Sequence, residues 1–497
     1  MKYGLLLQRQ FAYIGHYLAQ TLQEKYGERD FSGYVYLRSS YNFLTSQKDI
    51  RYSMLLLDQE IHKHWKNEKI DRGYLDTLEQ RIGLPTLWPY LIADRMLMQE
   101  QLVREYPHDR LRYSHEDLLK MLQVRAKAID EMLTREKPDV VFGIPPGALG
   151  SMLFYHLARA HGAKTLYVVP ANIQKRYVLT EDYTTFTPVD ALFHEAKDEL
   201  LSSEDGRWAR DYLETFRSRP VPNFEKTTPT HQPVTRAQQF GFLKPARALS
   251  AFTEIVRTAK QHHASEDRQD YDYIHPLWQN IDLLKRKIRN LRGNGDLYDR
   301  FDPEEPFAFF PLHYEPELSL LVLSPQFTDQ IHLIGQIARA LPVQMKLYVK
   351  EHPVMVQYRP RSFYKKLKAI PNVRLLPPTL TSFQITPRAK LVTTITGTVG
   401  WEACLFGVPV ISFGRQNFNT LPNVSHCTDY ARLPDVIRDR LQAPPADERD
   451  VMAYLAALKR CSFEMDLKQL WEEERNQEKR RNGIAPLADA LMHATRR

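Results

Sequence analysis

Two hydrophobic periods run along the chain. Short, near-continuous apolar and β-branched runs, Tyr3 to Gln8, Phe31 to Leu37, Ser53 to Leu57, Asp139 to Ile144 and Ala163 to Val169, read as buried strands. Between them apolar residues recur every three or four positions, as in Phe11, Ile14, Leu18 and Leu22, which predicts helices over about 10–25 and 115–136. Asp71 to Tyr106, rich in Leu and Met, also reads as helical, and Ser151 to His161 as a helix between two strands. The pattern returns after residue 306. Phe307 to Pro311, Met345 to Lys350, Val373 to Leu376, Leu391 to Ile395 and Val408 to Phe413 predict strands. The intervening helices are one capped by Ser324-Pro325 with a stripe of Ile331, Ile334, Ile337, Ala338 and Leu341, then Ser362 to Ile370 and Ser382 to Arg388. Strand and helix alternating at these lengths demand parallel sheets with right-handed crossovers. After Leu421 the pattern is mainly helical, over Leu433 to Leu441, Ala446 to Leu458 and a charged helix through Trp471.

From about Arg217 to Pro306 the periodicity gives way to Pro, Thr, Gln and charge, with Pro220, Pro222, Pro229 and Pro233 punctuating a linker. Leu277 to Leu291 stands out there as a basic amphipathic helix through Leu283, Leu284, Ile288 and Leu291. Its Lys285 to Arg292 run suits either an anionic membrane face or a solvated face between domains. The expected organisation is an N-terminal Rossmann-like domain over 1–216, a linker with a helical insertion over 217–305, a C-terminal Rossmann-like domain over 306–432, and C-terminal helices over 433–497.

Composition narrows the class. At 497 residues the chain exceeds one core, and 23 Phe with 26 Tyr supply apolar surface for two. The Met1 to Arg9 segment is too short an apolar run for a signal peptide, and no run of about 18 uninterrupted apolar residues occurs, so a cytoplasmic location is expected. Only Cys404, Cys427 and Cys461 are present, without metal-type spacing, which fits a reducing compartment and neither disulfides nor a zinc site. A net charge of +8 is compatible with anionic substrates or an anionic membrane. The Lys and Arg residues are scattered and no nucleic-acid motif is present, so no nucleic-acid partner is expected.

Candidate chemistry gathers at predicted strand ends. Leu391 to Ile395 runs into Thr396-Gly397-Thr398-Val399-Gly400, a small-residue turn opening a helix at about Trp401 that Gly407 closes. Such a loop offers backbone N–H groups, the hydroxyls of Thr396 and Thr398 and the positive end of a helix dipole to a phosphate. Glu402, early in that helix, could accept hydrogen bonds from ribose hydroxyls. The same residues also suit a plain crossover whose glycines only permit tight turns. Lys350-Glu351-His352-Pro353 ends an earlier strand on the same edge, where the His352 imidazole could donate to a phosphate oxygen and Lys350 add charge; a solvated surface turn is the other reading. His313-Tyr314-Glu315 follows the first strand of this half and could line an interdomain cleft and touch donor or acceptor, or be a structural Tyr beside a solvent-facing His. Pro145-Pro146-Gly147-Ala148-Leu149-Gly150, and Gln8 with Arg9, occupy the corresponding ends in the first half. Asp270-Tyr271-Asp272 looks like a paired-Asp metal site but lies in a polar run rather than at a strand end, so no metal is expected.

Tyr348 to Pro353, followed by Thr393 to Ala403 and Gly407-Val408-Pro409-Val410, resembles the C-terminal domain of bacterial capsule and surface-polysaccharide biosynthesis glycosyltransferases of the GT-B fold, closest to the group of the Kdo (3-deoxy-octulosonic acid) transferases. The resemblance implies an α/β architecture of two Rossmann-like domains facing a cleft. It implies a metal-independent glycosyltransferase with no cofactor beyond a CMP- or UDP-linked sugar donor. His352 with Thr396 and Thr398 would bind the donor phosphate and Glu402 the ribose. The acceptor would be a glycan or lipid-linked glycan, with peripheral contact to the inner membrane or to other polysaccharide-biosynthesis proteins. The chain has Gly397-Thr398 where many Kdo transferases have Ser-Gln. A polyol-phosphate transferase, a sugar epimerase of the same fold, or a non-catalytic scaffold would carry a similar loop, and no catalytic carboxylate stands in a diagnostic context.

Overall fold

A computed structural model describes residues 1–8, 11–94, 97, 113–221, 245–264, 268, 270, 273–315, 317–356, 358–467, 469–470 and 476–496. Arg9, Tyr271, Asp272, Pro222, Pro229, Pro233 and Trp471, singled out above, lie outside the described residues, as do residues 95–96 and 98–106 of the helical stretch expected to reach Tyr106. The strands in chain order are β1 (Lys2–Leu7), β2 (Asp30–Val35), β3 (Tyr52–Leu57), β4 (Val140–Gly143), β5 (Lys164–Pro170), β6 (Arg176–Thr180), β7 (Phe307–Pro311), β8 (Lys346–Lys350), β9 (Val373–Leu376), β10 (Leu391–Thr394), β11 (Val410–Ser412), β12 (Val424–His426) and β13 (Ser462–Glu464).

The chain divides into two compact units: Met1–Met98 with Leu111–Ala209 and Ala453–Arg497, and Arg210–Met452 with Gln99–Arg110. In the first, the sheet order is β13-β6-β5-β4-β1-β2-β3. The strands from β3 to β5 are parallel, while β6 runs antiparallel to β5 and β13 antiparallel to β6. Leu5, Leu7, Phe31, Val35 and Phe142 share one buried core with Phe11 and Leu18 of the helix Phe11–Tyr26. The helix Gln477–Arg496 adds Ile484, Leu487 and Leu491 to it. Polar contacts pin these two helices together: Lys25 pairs with Asp489 at 2.6 Å and the Arg480 guanidinium donates to the Tyr17 hydroxyl at 2.7 Å. The C-terminal segment is therefore part of the first sheet's core and edge, not a separate set of helices.

In the second unit all six strands are parallel, in the order β12-β11-β10-β7-β8-β9. Phe307, Ala308, Phe309 and Phe310 are all fully buried, which is possible only with both sheet faces covered. Each phenylalanine so buried contributes on the order of 2–3 kcal/mol relative to exposure. Helices Gln330–Ala340 and Arg361–Lys368 cover one face through Leu333, Ile334, Ile337, Phe363, Tyr364 and Leu367. Ser324-Pro325 does not cap the first of these. It opens a 3-10 turn, Pro325–Phe327, and the helix starts at Gln330, where the Asp329 carboxylate accepts from the His332 amide at 3.0 Å. After Leu421 the chain is mainly helical, with Val424–His426 adding the strand β12. The expected long helix after Asp71 is broken by Gly83, which ends Arg72–Ile82 at a left-handed φ of 69°. Among the described residues, no helix is long and apolar enough to cross a membrane.

Candidate functional site

Sheet order in the second unit reverses between β7 and β10. From β7 the chain moves outward through β8 to β9, then returns to the other side of β7 for β10 and continues to β12. The loops leaving β7 and β10 diverge to opposite faces, so a crevice at their carboxyl ends is where an open parallel sheet takes a ligand. Those loops are Leu312 to Glu315 and Ile395 to Gly397. The loop leaving β8 is Glu351-His352.

The β10 loop is fixed by a side chain from the β7 loop. His313 is buried, and its Nε2 accepts from the Thr396 amide at 3.0 Å and lies 3.3 Å from the Thr394 hydroxyl. Thr394 Oγ1 in turn accepts from the Gly397 amide at 3.0 Å. Gly397 makes room for this: a Cβ there would lie 2.9 Å from Thr394 Oγ1 and 3.3 Å from His313 Nε2. Burial holds the imidazole down at about 3, with the charges of His352 and Arg359 pulling the same way, so the ring is neutral. Since Nε2 accepts, the ring proton sits on Nδ1. The Gln330 side chain beside the ring raises it slightly, yet Gln330 Oε1 already takes the His313 amide at 2.7 Å, and among the described residues Nδ1 is left buried without an acceptor.

With the Thr396 and Gly397 amides occupied, the helix Thr398–Leu405 presents the next ones. The first N–H groups of a helix have no intrahelical partner. Gly400 turns its amide back to the Gly397 carbonyl at 3.0 Å, and the Thr398 and Val399 amides make no hydrogen bond among the described residues. Thr398 itself is exposed. The Thr396 hydroxyl, by contrast, is buried and donates to the Ser319 carbonyl at 2.6 Å. Gly407 closes the helix at a left-handed φ of 75°, the stop its sequence position suggests.

The β8 loop rests on a buried charge network. Glu351 and Arg359 are fully buried and ion-paired, with Arg359 also 3.3 Å from Glu315 and donating to the His313 carbonyl at 2.8 Å. Glu351 accepts the Tyr364 hydroxyl at 2.8 Å and the His352 amide at 2.6 Å. The same carboxylate thus orients the His352 backbone while its cationic partner holds that of His313. The half-buried His352 ring stands 5.8 Å from the Tyr314 ring, and its Nδ1 accepts from the Val354 amide at 3.3 Å, placing the proton of a neutral ring on Nε2.

Lys350, the last residue of β8, is buried with one long hydrogen bond, 3.4 Å to the Glu351 carbonyl. Burial pulls its ammonium down to about 8 against the opposing attraction of Glu351 and Glu402. Glu402 is its counterpart on the helix after β10. Burial pushes that carboxyl up to about 7, opposed by a 3.0 Å hydrogen bond from the Ser382 hydroxyl and by the Lys350 charge. An amine at the end of β8 and a carboxyl on the helix after β10, each shifted toward neutrality and each acting on the other's charge, form an unusual pair.

All eight residues proposed from sequence, His313, Tyr314, Lys350, His352, Thr396, Gly397, Thr398 and Glu402, therefore fall at or beside the carboxyl ends of β7, β8 and β10. The imidazole bonded to the Gly/Thr loop is that of His313, with His352 beside it. Arg359, Gln330 and Ser382 carry no sequence signal for their roles, which arise from packing between distant segments. In the first unit, the carboxyl-edge residue Asp58 is paired with Arg125 at 2.9 Å and accepts the Tyr34 hydroxyl, all three buried. The buried Asp94 accepts the Leu149 amide at 2.9 Å at the start of the helix that follows Pro145-Pro146-Gly147. Among the described residues no group of three or more His, Cys, Asp or Glu is arranged to hold a metal ion.

Residues 210–422 match the family described as capsule polysaccharide biosynthesis protein, so the expected resemblance is borne out over that span. Similar solved structures include the KpsC β-Kdo 2,7-transferase of Thermosulfurimonas dismutans, at 10% identity over 74% of this chain and 89% of that one, with a TM-score of 0.35. The KpsC β-Kdo 2,4-transferase of the same organism is similar at 13% identity over 64% and 80%, with a TM-score of 0.34. The UDP-GlcNAc 2-epimerase of Methanocaldococcus jannaschii is similar at 11% identity over 93% and 98%, with a TM-score of 0.26. No curated protein sequence matches the chain.

Proposed function

We propose, from the match of residues 210–422 to capsule polysaccharide biosynthesis proteins, that this protein is a GT-B-type glycosyltransferase that adds a nucleotide-activated sugar to a capsule or other cell-surface polysaccharide. The observation that carries the reading is the β10 loop, held by His313 so that two unsatisfied amides of a helix N-terminus sit at the switch point of the second sheet. In this reading the Thr398 and Val399 amides receive the donor's phosphate oxygens. The Lys350 ammonium neutralises the charge that grows on the phosphate as the sugar departs, and the Nε2–H of His352 donates to it. Glu402 accepts from the ribose hydroxyls. His352 and Glu402 are positioned by hydrogen bonds already made within the protein, and the loop amides by the clamped β10 loop, so little reorganisation accompanies the reaction.

The reading requires a nucleotide to bind first and a glycan or lipid-linked glycan acceptor to consume it. Purified protein is warmed with CMP-, UDP-, GDP- and CDP-linked donors. Stabilisation by one nucleotide class, lost in Lys350→Met, supports the assignment and identifies the base. No stabilisation by any of the four would sink it. Product analysis with the binding donor then distinguishes sugar transfer from epimerisation or transfer of a polyol phosphate.

A further inference from the structure

The helix Pro276–Arg292 faces the wrong way for a helix of a folded domain. Projected at 100° per residue, Leu277, Ile281, Leu284, Ile288 and Leu291 fall within an arc of about 80°. Such a stripe ordinarily lies against the core. Here Leu277, Leu284 and Ile288 are 56%, 55% and 56% exposed, Trp278 is 58% exposed at the stripe's margin, and none of the helix is fully buried. The polar side makes the attachment. Arg286 stacks its guanidinium 4.7 Å from the centre of the Tyr358 ring and donates to the Tyr358 hydroxyl at 3.0 Å. Arg289 donates to the Tyr358 carbonyl. Asp282, the helix's acidic residue, is paired with Arg286 at 2.9 Å on that same side.

The exposed stripe is flanked by cations. Lys285 and Arg292 border it on one side and Lys287 on the other, all three exposed. Leucine, isoleucine and tryptophan between rows of lysine and arginine are the chemistry of a helix lying in the headgroup region of a bilayer, its apolar side among acyl chains and its cations on lipid phosphates. We propose that Pro276–Arg292 docks the protein on an anionic phospholipid surface. Charge decides against a second copy of the chain as the occupant. A two-fold contact through this stripe would set Lys285 and Arg292 of one copy against those of the other, while the helix's own acidic residue, Asp282, is on the far side with Arg286. The helix is anchored through Arg286 and Arg289, so its exposed side is presented without unfolding anything.

The test is vesicle flotation of the full chain. With vesicles containing phosphatidylglycerol, recovery is expected to exceed that with pure phosphatidylcholine by on the order of tenfold or more, and to fall as salt is raised. The double substitution Leu284→Gln/Ile288→Gln is expected to lower it by roughly tenfold, and Lys285→Gln/Lys287→Gln to remove most of the preference for anionic lipid. Because these side chains are exposed, circular dichroism and melting temperature should not change, and nucleotide binding should be unaffected. Trp278 supplies a second readout: its emission should shift to the blue on anionic vesicles, a shift missing from Trp278→Phe. Equal recovery on both lipids, or none, overturns the proposal. So does a concentration-dependent dimer that Leu284→Gln/Ile288→Gln dissolves, which would assign the stripe to a second copy.

Discussion

His313 Nε2 lies 3.0 Å from the amide nitrogen of Thr396, and through this bond the loop leaving β7 sets the shape of the loop leaving β10. His313→Ala would leave that amide buried without an acceptor and open a cavity beside Thr394. The expected cost is about 1–3 kcal/mol in urea denaturation, together with loss of nucleotide-induced stabilisation. His313→Gln, which can still accept, should recover part of both. Unchanged nucleotide binding in His313→Ala would show that the loop needs no clamp.

Gly397→Ala tests the same closeness from the other side. Its Cβ would meet Thr394 Oγ1 and His313 Nε2 at 2.9 and 3.3 Å, so one hydrogen bond of the clamp must lengthen. Nucleotide affinity is expected to fall at least ~10-fold, for a stability loss of roughly 1 kcal/mol or less. Gly295→Ala in the same unit meets nothing within 4 Å and serves as the control.

Lys350 makes the proposed donor site sensitive to alkaline pH. Its folded-state value of about 8 lies below the free value of 10.5, so the folded protein releases this proton first. Between those values the unfolded chain binds more protons and stability rises with pH; below about 8 the full cost of burying the ammonium is present. Lys350→Met should therefore be more stable than the wild type at pH 7 by roughly 3 kcal/mol, the gain shrinking toward pH 10.5. Nucleotide affinity of the wild type should decline above about pH 8, whereas that of Lys350→Met should be weak and flat. Titrations at several pH values read both.

Glu402 carries the opposite sign. Its folded value of about 7 exceeds the free value of 4.5, so the folded state holds the proton longer and stability falls as pH rises from 4.5 to 7. Glu402→Gln should raise the melting temperature at pH 8 and leave it nearly unchanged at pH 4.5. Its nucleotide binding should be weaker at both. Equal shifts at the two pH values would exclude a perturbed carboxyl.

Arg359 holds two buried carboxylates. Arg359→Met leaves Glu351 and Glu315 without their cation, and a loss of about 3–5 kcal/mol in urea denaturation is expected. Combining it with Glu351→Gln should restore part of that loss, since the desolvated charge is then absent. Additive losses in the double variant would contradict the network.

Much of the second sheet was legible from sequence. Phe307–Pro311 and Val373–Leu376 are recovered to the residue because unbroken apolar runs between polar turns belong to strands buried on both faces. Arg176–Thr180, Val424–His426 and Ser462–Glu464 were not, being short strands with polar residues and little alternation, which pairing rather than propensity makes into strands. The Lys-Glu-His-Pro and Thr-Gly-Thr motifs marked the right edge of the sheet. They could not show which imidazole touches the loop, because the His313–Thr396 bond spans 83 residues and depends on strand order. The reversed helix Pro276–Arg292 shows the same limit: periodicity marked Leu284, Ile288 and Leu291 of its apolar stripe, but not the side on which Tyr358 waits.

Strand β13 and the helix Gln477–Arg496 complete a sheet that β1 began. A nascent chain leaving the ribosome therefore finishes its later-starting sheet, enclosed within Arg210–Met452, before the earlier one. Until Ser462–Glu464 emerges β6 has an unpaired edge, and until Gln477–Arg496 emerges Tyr17 and the apolar face around Leu18 lack their cover. Chains interrupted shortly after Met452 would thus pair a finished second sheet with an adhesive first one that lacks its edge strand and covering helix, the species that chaperones have most reason to hold.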